Sequence, residues 1–172
     1  MIIRQAQKAD ATAIAKIHVR SWQRAYRGIM PDSVLNQLSI DAREESWLQQ
    51  IGRAGQQTFV SSQGYAVLGF ITFGAARESD PAPKDGEIYA LYVDPDNWQC
   101  GIGSALWNHA LQHLVSSGFE RALVWVLETN TRARRFYETL GCVLQPNAQK
   151  TLEYHEKHLV EVCYILQLGV SK

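Results

Sequence analysis

The chain has 172 residues, 46% of them hydrophobic, and 17 Lys+Arg balance 17 Asp+Glu, so the formal net charge is zero. That length suits one globular domain, residues 1–172, with a proper core. The balance excludes a field-driven partner: neither nucleic acid nor an anionic membrane is expected without a basic patch. Cys100, Cys142 and Cys163 are odd in number and widely spaced. That argues against a disulfide framework or a Cys-rich zinc site and for reduced thiols in a cytoplasmic protein.

The N-terminus breaks its apolar run at Arg4, Lys8 and Asp10, so no signal peptide is expected. No stretch reaches the ~18 uninterrupted apolar residues of a membrane span. In chain order, "IIRQA" reads as a strand, and Asp10 is placed to cap a helix over residues 10–26. Ile14, Ile17, His18, Trp22 and Ala25 form its apolar stripe. "MPDSVLNQL" and "SIDAREESWLQQIG" predict two short helices. "TFVSS" and "YAVLGFITFGAA" predict a hairpin turning near Gln63 and Gly64, and "RESDPAPKDG" a surface loop.

"EIYALYV" is the next strand, closed by Pro95, and residues 101–117 form a helix with Ile102, Leu106, Ala110 and Leu114 every fourth position. "RALVWVLE" is a strand and "NTRARRFYETLG" a helix ended by Gly141. "CVLQ" and "LVEVCYILQL" are closing strands, joined by a polar connection that holds "EYHEKH". The order describes an α+β domain with a mixed sheet.

Gly101 and Gly103 sit where a strand gives way to a helix. Backbone N–H groups there are unpaired, the helix dipole favours negative charge, and missing Cβ atoms let a phosphate approach. Glycine merely relieving a crowded helix entry explains the pair equally well. A dinucleotide fingerprint would need glycine at Leu106, and no Gly-Lys-Ser/Thr of a P-loop is present.

"LYVDPDNWQCGIGSAL" resembles the acetyl-CoA-binding motif Q/R-x-x-G-x-G/A of the GCN5-related N-acetyltransferases (GNAT family). It matches at Gly101 and Gly103, with Trp98 in the first position and Gln99 beside it. "NTRARRFYETLGC" resembles the family's second signature, N-x-x-A-x-x-F-Y-E-x-x-G-F. It matches at Asn130, Ala133, Phe136, Tyr137, Glu138 and Gly141, and departs at Cys142.

The resemblance implies a mixed sheet of about six to seven strands, splayed between the fourth and fifth and flanked by helices. It implies acetyl-CoA as cosubstrate, with no metal. The acetyl group would pass to a primary amine of a small molecule or peptide by direct attack in a ternary complex. The enzyme would be an acyltransferase of the class moving groups other than aminoacyl groups. Backbone groups of Leu91 and Val93 would meet the pantetheine arm; Gln99, Cys100, Gly101, Gly103 and Ser104 the pyrophosphate; Asn130 and Tyr137 the coenzyme as well.

Tyr137 would protonate the departing thiolate, a tyrosine packed in the core being the alternative. Glu87 opens a strand and would take the ammonium proton through water, or stand as an exposed strand-end carboxylate. Trp22, Tyr26, Arg27 and Tyr89 would shape the acceptor site, with aromatic core packing as the other reading of Trp22 and Tyr26. Arg20, Arg24 and Arg27 together point to an acceptor with an anionic group. His18 reads as a buried histidine, and His109 with His113 as a solvated face rather than a metal site. Homodimers are common in the family. The rival class is a non-catalytic coenzyme A or acyl-CoA binding or sensing module of the same fold.

Overall fold

The computed structural model describes residues 1–77, 84–154 and 157–169. Its seven strands are β1 (Ile2–Gln5), β2 (Gln56–Gln63), β3 (Ala66–Ala75), β4 (Asp85–Val93), β5 (Arg121–Leu127), β6 (Val143–Tyr154) and β7 (Lys157–Gln167). The helices are α1 (Ala11–Ala25), α2 (Asp32–Asn36), α3 (Ile40–Gln50), α4 (Ile102–Ser116) and α5 (Thr131–Thr139). The strands form one mixed sheet in the order β1-β2-β3-β4-β5-β7-β6. β4 and β5 are parallel; β1–β2, β2–β3, β5–β7 and β6–β7 are antiparallel. The parallel register covers Asp85 to Ile88 against Arg121 to Val124, and β4 continues past it to Val93.

The chain divides into two compact units, one of Met1–Gly74 with Ala90–Ala110 and one of Ala75–Tyr89 with Leu111–Lys172. In the first, α1 lays Ile14, Ala15 and Ile17 against Trp47 of α3 and Val60 and Phe70 of the sheet. Burying several such side chains, at roughly 1.5–3 kcal/mol each, is what fixes the two helices on that face. In the second, Ala122, Leu123, Val124, Val126, Val162, Cys163 and Tyr164 are buried on β5 and β7. Gly86 has a packing reason: a Cβ there would lie 2.7 Å from Leu114 Cδ2 of α4.

Most predicted elements stand where the periodicity puts them. Ile102, Leu106, Ala110 and Leu114 are all buried along α4. The β2–β3 hairpin pairs Gln63 with Ala66. Two expectations need correction. Asp10 does not cap α1 with its side chain. Its carboxylate instead accepts two bonds from Arg4 and one from the Gln7 N–H, all 2.7–2.8 Å.

The polar connection before β7 is mostly strand. β6 runs from Val143 to Tyr154 and pairs with β7 from Gln149↔Val162 to Tyr154↔Lys157. β6 is an edge strand whose side chains are mostly exposed, so polar residues do not disfavour it. Pro146 falls where the register shifts between Leu144 and Gln149, the position a strand proline tolerates. Of the predicted "RESDPAPKDG" loop, residues 78–83 lie outside the described residues, as do residues 155 and 156 of "EYHEKH".

Candidate active site

The first unit builds the glycine loop. Asp94 accepts from the Asp96 N–H and so caps a single turn at Pro95–Asn97. Arg20 of α1 clamps that turn, donating to Asp94 (2.5 Å) and Asp96 (2.8 Å), which also offsets two carboxylates that would repel a phosphate. The Val93 carbonyl accepts from Ser21 Oγ (3.0 Å) and from the Trp98 indole N–H (2.8 Å). Both its lone pairs are thereby used. Trp98, the departure from the motif's first position, therefore pins the loop to the end of β4.

Gln99 has φ +64° and Gly101 φ +76°; Gln99 is the one non-glycine at positive φ among the described residues. Left-handed backbone at a residue with a Cβ costs about 1–2 kcal/mol and persists only where its surroundings enforce it. After it, Ala105 N–H closes the first α4 bond on Gly101 O at 3.0 Å. The N–H groups of Ile102, Gly103 and Ser104 consequently have no acceptor within α4. Cys100 is exposed in this loop, its thiol 3.6 Å from the Trp98 carbonyl.

The same unit gathers an aromatic cluster. Trp22 meets Tyr26 edge to face at 5.1 Å, and Tyr26 is buried. The Trp22 indole donates to the Tyr92 hydroxyl (2.9 Å), and His18 stacks on Tyr92 at 4.8 Å. His18 Nδ1 accepts from the Trp47 indole at 3.3 Å, which fixes it as the neutral form. Burial first, then the charge of Arg43, pushes its pKa down to about 3. Arg20 is committed to Asp94 and Asp96, while Arg24 and Arg27 are exposed.

The second unit holds the proton-handling candidates. Glu87 is 1% exposed, and both its oxygens are taken by Arg77: the backbone N–H at 2.8 Å, Nη2 at 2.6 Å and Nε at 3.2 Å. It is an enclosed carboxylate and not an exposed strand end. Arg77 also lies 4.0 Å above the Tyr89 ring, and the Tyr89 hydroxyl donates to the Ala75 carbonyl. Burial and the charge of Glu87 hold the Tyr89 pKa above its ordinary value, with Arg77 opposing.

Asn130 caps α5 with its side chain, accepting from Ala133 N–H at 3.1 Å. Tyr137, on that helix, is 7% exposed. Glu138, next in the signature, accepts from the Tyr164 hydroxyl at 2.6 Å, and Arg134 donates to that same hydroxyl at 3.0 Å. These bonds tie α5 to β7. Cys142 is buried, and burial raises its thiol pKa to about 11, which keeps it protonated and unreactive.

The glycine loop, Leu91, Val93, Trp22, Tyr26 and Arg27 thus belong to the first unit, and Glu87, Tyr89, Asn130 and Tyr137 to the second. His109 departs from expectation: it is half-buried and packs edge-on against Phe59 at 4.5 Å. Among the described residues no group of three or more side chains is arranged to hold a metal. No helix among them is long and apolar enough to cross a membrane. Sequence reasoning passed over Arg77, which lies in a loop-like stretch ten residues from its partner. It also passed over Glu161, whose signal was present: a lone acid in the apolar run "LVEVCYIL".

The sheet is mixed, with β4 and β5 parallel, and between those two strands a loop with Gln99 and Gly101 at positive φ opens α4. The Acetyltransferase (GNAT) family pattern matches residues 11–142, and the chain belongs to that family. It is 36% identical over 129 residues to the uncharacterized N-acetyltransferase YuaI of Bacillus subtilis, covering 74% of this chain and 72% of that one. It is 26% identical over 145 residues to the L-amino acid N-acyltransferase MnaT of Escherichia coli, covering 84% and 80%. The fold matches the PaiA N-acetyltransferase of Thermoplasma acidophilum, solved in complex with coenzyme A. The TM-score is 0.72 at 18% identity over 96% of this chain and 98% of that one.

Proposed function

We propose that this chain, as one catalytic domain, transfers acetyl from acetyl-CoA to a primary amine of a small molecule or peptide by direct attack in a ternary complex. The observation that carries the reading is the left-handed Gln99–Gly101 loop, which delivers the N–H groups of residues 102–104 without an intrahelical acceptor. Preorganised donors of that kind suit a pyrophosphate, with Cys100 and Ser104 at its edge. Leu91 and Val93 would meet the pantetheine arm; for Val93 that leaves the N–H, since its carbonyl already takes two donors. Asn130 spends its side-chain oxygen on the α5 cap, so its amide nitrogen is the part assigned to the coenzyme.

Tyr137 is assigned as the acid for the departing thiolate. Glu87, with both oxygens on Arg77, is assigned to hold that arginine and the strand in place rather than to receive a proton directly. On the acceptor side, Trp22 and Tyr26 are assigned as aromatic walls and Tyr89 to the acceptor as well, and exposed Arg27 suits a carboxylate on the acceptor, as in an amino acid or peptide. The name of the Escherichia coli relative is in keeping with that choice.

Replacing Tyr137 by Phe removes only the hydroxyl. The expected result is a fall in kcat of about 10²-fold or more with acetyl-CoA affinity unchanged. Wild-type kcat in Tyr137→Phe would remove the tyrosine from the proton path.

A further inference from the structure

We propose that Glu161 receives the proton that the acceptor's ammonium must lose before its nitrogen attacks, an inference that rests on the acetyl-transfer reading above. Glu161 is a half-buried acid within the otherwise apolar middle of β7. It stands opposite Leu127 of β5 and opposite Lys150 of β6. Residues directly opposite share a sheet face, and alternate residues of a strand do too. Leu123, Trp125 and Leu127 therefore lie on that face with Glu161, and so does Glu87, which pairs with Leu123. Lys150 places its ammonium 3.8 Å above the Trp125 ring.

The two carboxylates on this face differ in their partners. Glu87 is enclosed and bound on both oxygens by Arg77. Glu161 makes no hydrogen bond or ion pair with the described residues, yet feels Lys150, Arg77 and Glu87 through space. Burial holds its pKa above the ordinary glutamate value, Lys150 and Arg77 pull it back, and the charge of Glu87 raises it again. A carboxylate held above its ordinary value, on one sheet face with Trp125 and with no hydrogen-bond or ion-pair partner among the described residues, is matched to an ammonium that it must bind and deprotonate.

One ammonium proton passes to the Glu161 carboxylate and on to solvent, and the neutral nitrogen forms its bond to the thioester carbon. As the C–S bond breaks, the thiolate takes the Tyr137 proton, and the second nitrogen proton replaces it through solvent. The products are the amide, coenzyme A thiol and one proton.

The test measures acetyl-CoA affinity by calorimetry and kcat against pH, from about pH 5 to 9, with the twenty L-amino acids and short peptides as acceptors. Wild type, Glu161→Gln and Lys150→Met are compared. Glu161→Gln is expected to bind acetyl-CoA normally, lose about 10²-fold in kcat and lose the acid limb of the profile. Lys150→Met is expected to keep that limb but move it to higher pH, because the cation that favours the charged carboxylate is gone. A wild-type kcat profile in Glu161→Gln, or a limb unmoved by Lys150→Met, overturns the inference and leaves the acetyl-transfer reading standing. Acetyl-CoA binding without turnover of any acceptor overturns that reading, and the inference with it, in favour of a coenzyme A-sensing module.

Discussion

The glycine loop and the sheet face carrying Glu87, Trp125 and Glu161 are built by opposite means. The loop is contiguous, residues 94–104, and its geometry comes from backbone: a capped turn, one strained glutamine and one left-handed glycine. The sheet face draws side chains from four strands and the Arg77 segment, and its geometry comes from register and ion pairing. A backbone site tolerates side-chain change, as Trp98 shows by taking up a new bond to Val93. A side-chain site has less tolerance, because the Glu87 charge depends on the Arg77 guanidinium that holds it.

Substitutions distinguish the two kinds of construction. Arg77→Ala should have the largest effect on stability, about 2 kcal/mol lost in urea unfolding, because it strips an enclosed carboxylate of its side-chain donors. The exposed arginine keeps the figure below that of a fully buried pair. A loss under 0.5 kcal/mol, the ordinary surface range, would show that Glu87 relaxes toward solvent. Gln99→Gly should act in the other direction, gaining about 1 kcal/mol because glycine takes positive φ without strain. Loss of stability instead would mean that the glutamine side chain holds the loop.

At near-neutral pH the smallest effect belongs to the aromatic cluster around His18. Its folded pKa of about 3 lies below the unfolded value of about 6.5. The unfolded chain therefore takes up the proton first, so the contribution is complete above pH 6.5 and is lost as pH falls toward 3. The loss should be about 0.4 kcal/mol at pH 6.5, growing below it. Thermal unfolding from neutral to acid pH should show this slope in wild type and not in His18→Gln. Asp10, whose carboxyl Arg4 holds below its ordinary range, begins to lose its share only as pH falls toward its unfolded value of 3.8, so the slope between pH 6.5 and about 5 reports His18 and not Asp10.

Much of this was legible in the sequence, for local reasons. The four-residue repeat of α4, the Gln63–Gly64 turn and the two signatures each fit within a short span, and short-range patterns fix short-range geometry. What escaped was non-local. Glu87 could not be seen to meet Arg77, because the stretch between them reads only as a loop. The strand character of β6 was hidden by its polar edge-strand composition. Glu161 was visible as an acid in an apolar strand, but its neighbours are set by β5–β7–β6 register, which the sequence alone does not supply.

The Gln99–Ser104 segment is proposed to hold the pyrophosphate of coenzyme A. Calorimetric titration with acetyl-CoA and then with dephospho-coenzyme A tests it most directly. Micromolar binding that survives loss of the 3′-phosphate is the result expected of backbone donors aimed at the pyrophosphate. Absence of binding to either compound would contradict the claim, and with it the catalytic assignments built on it.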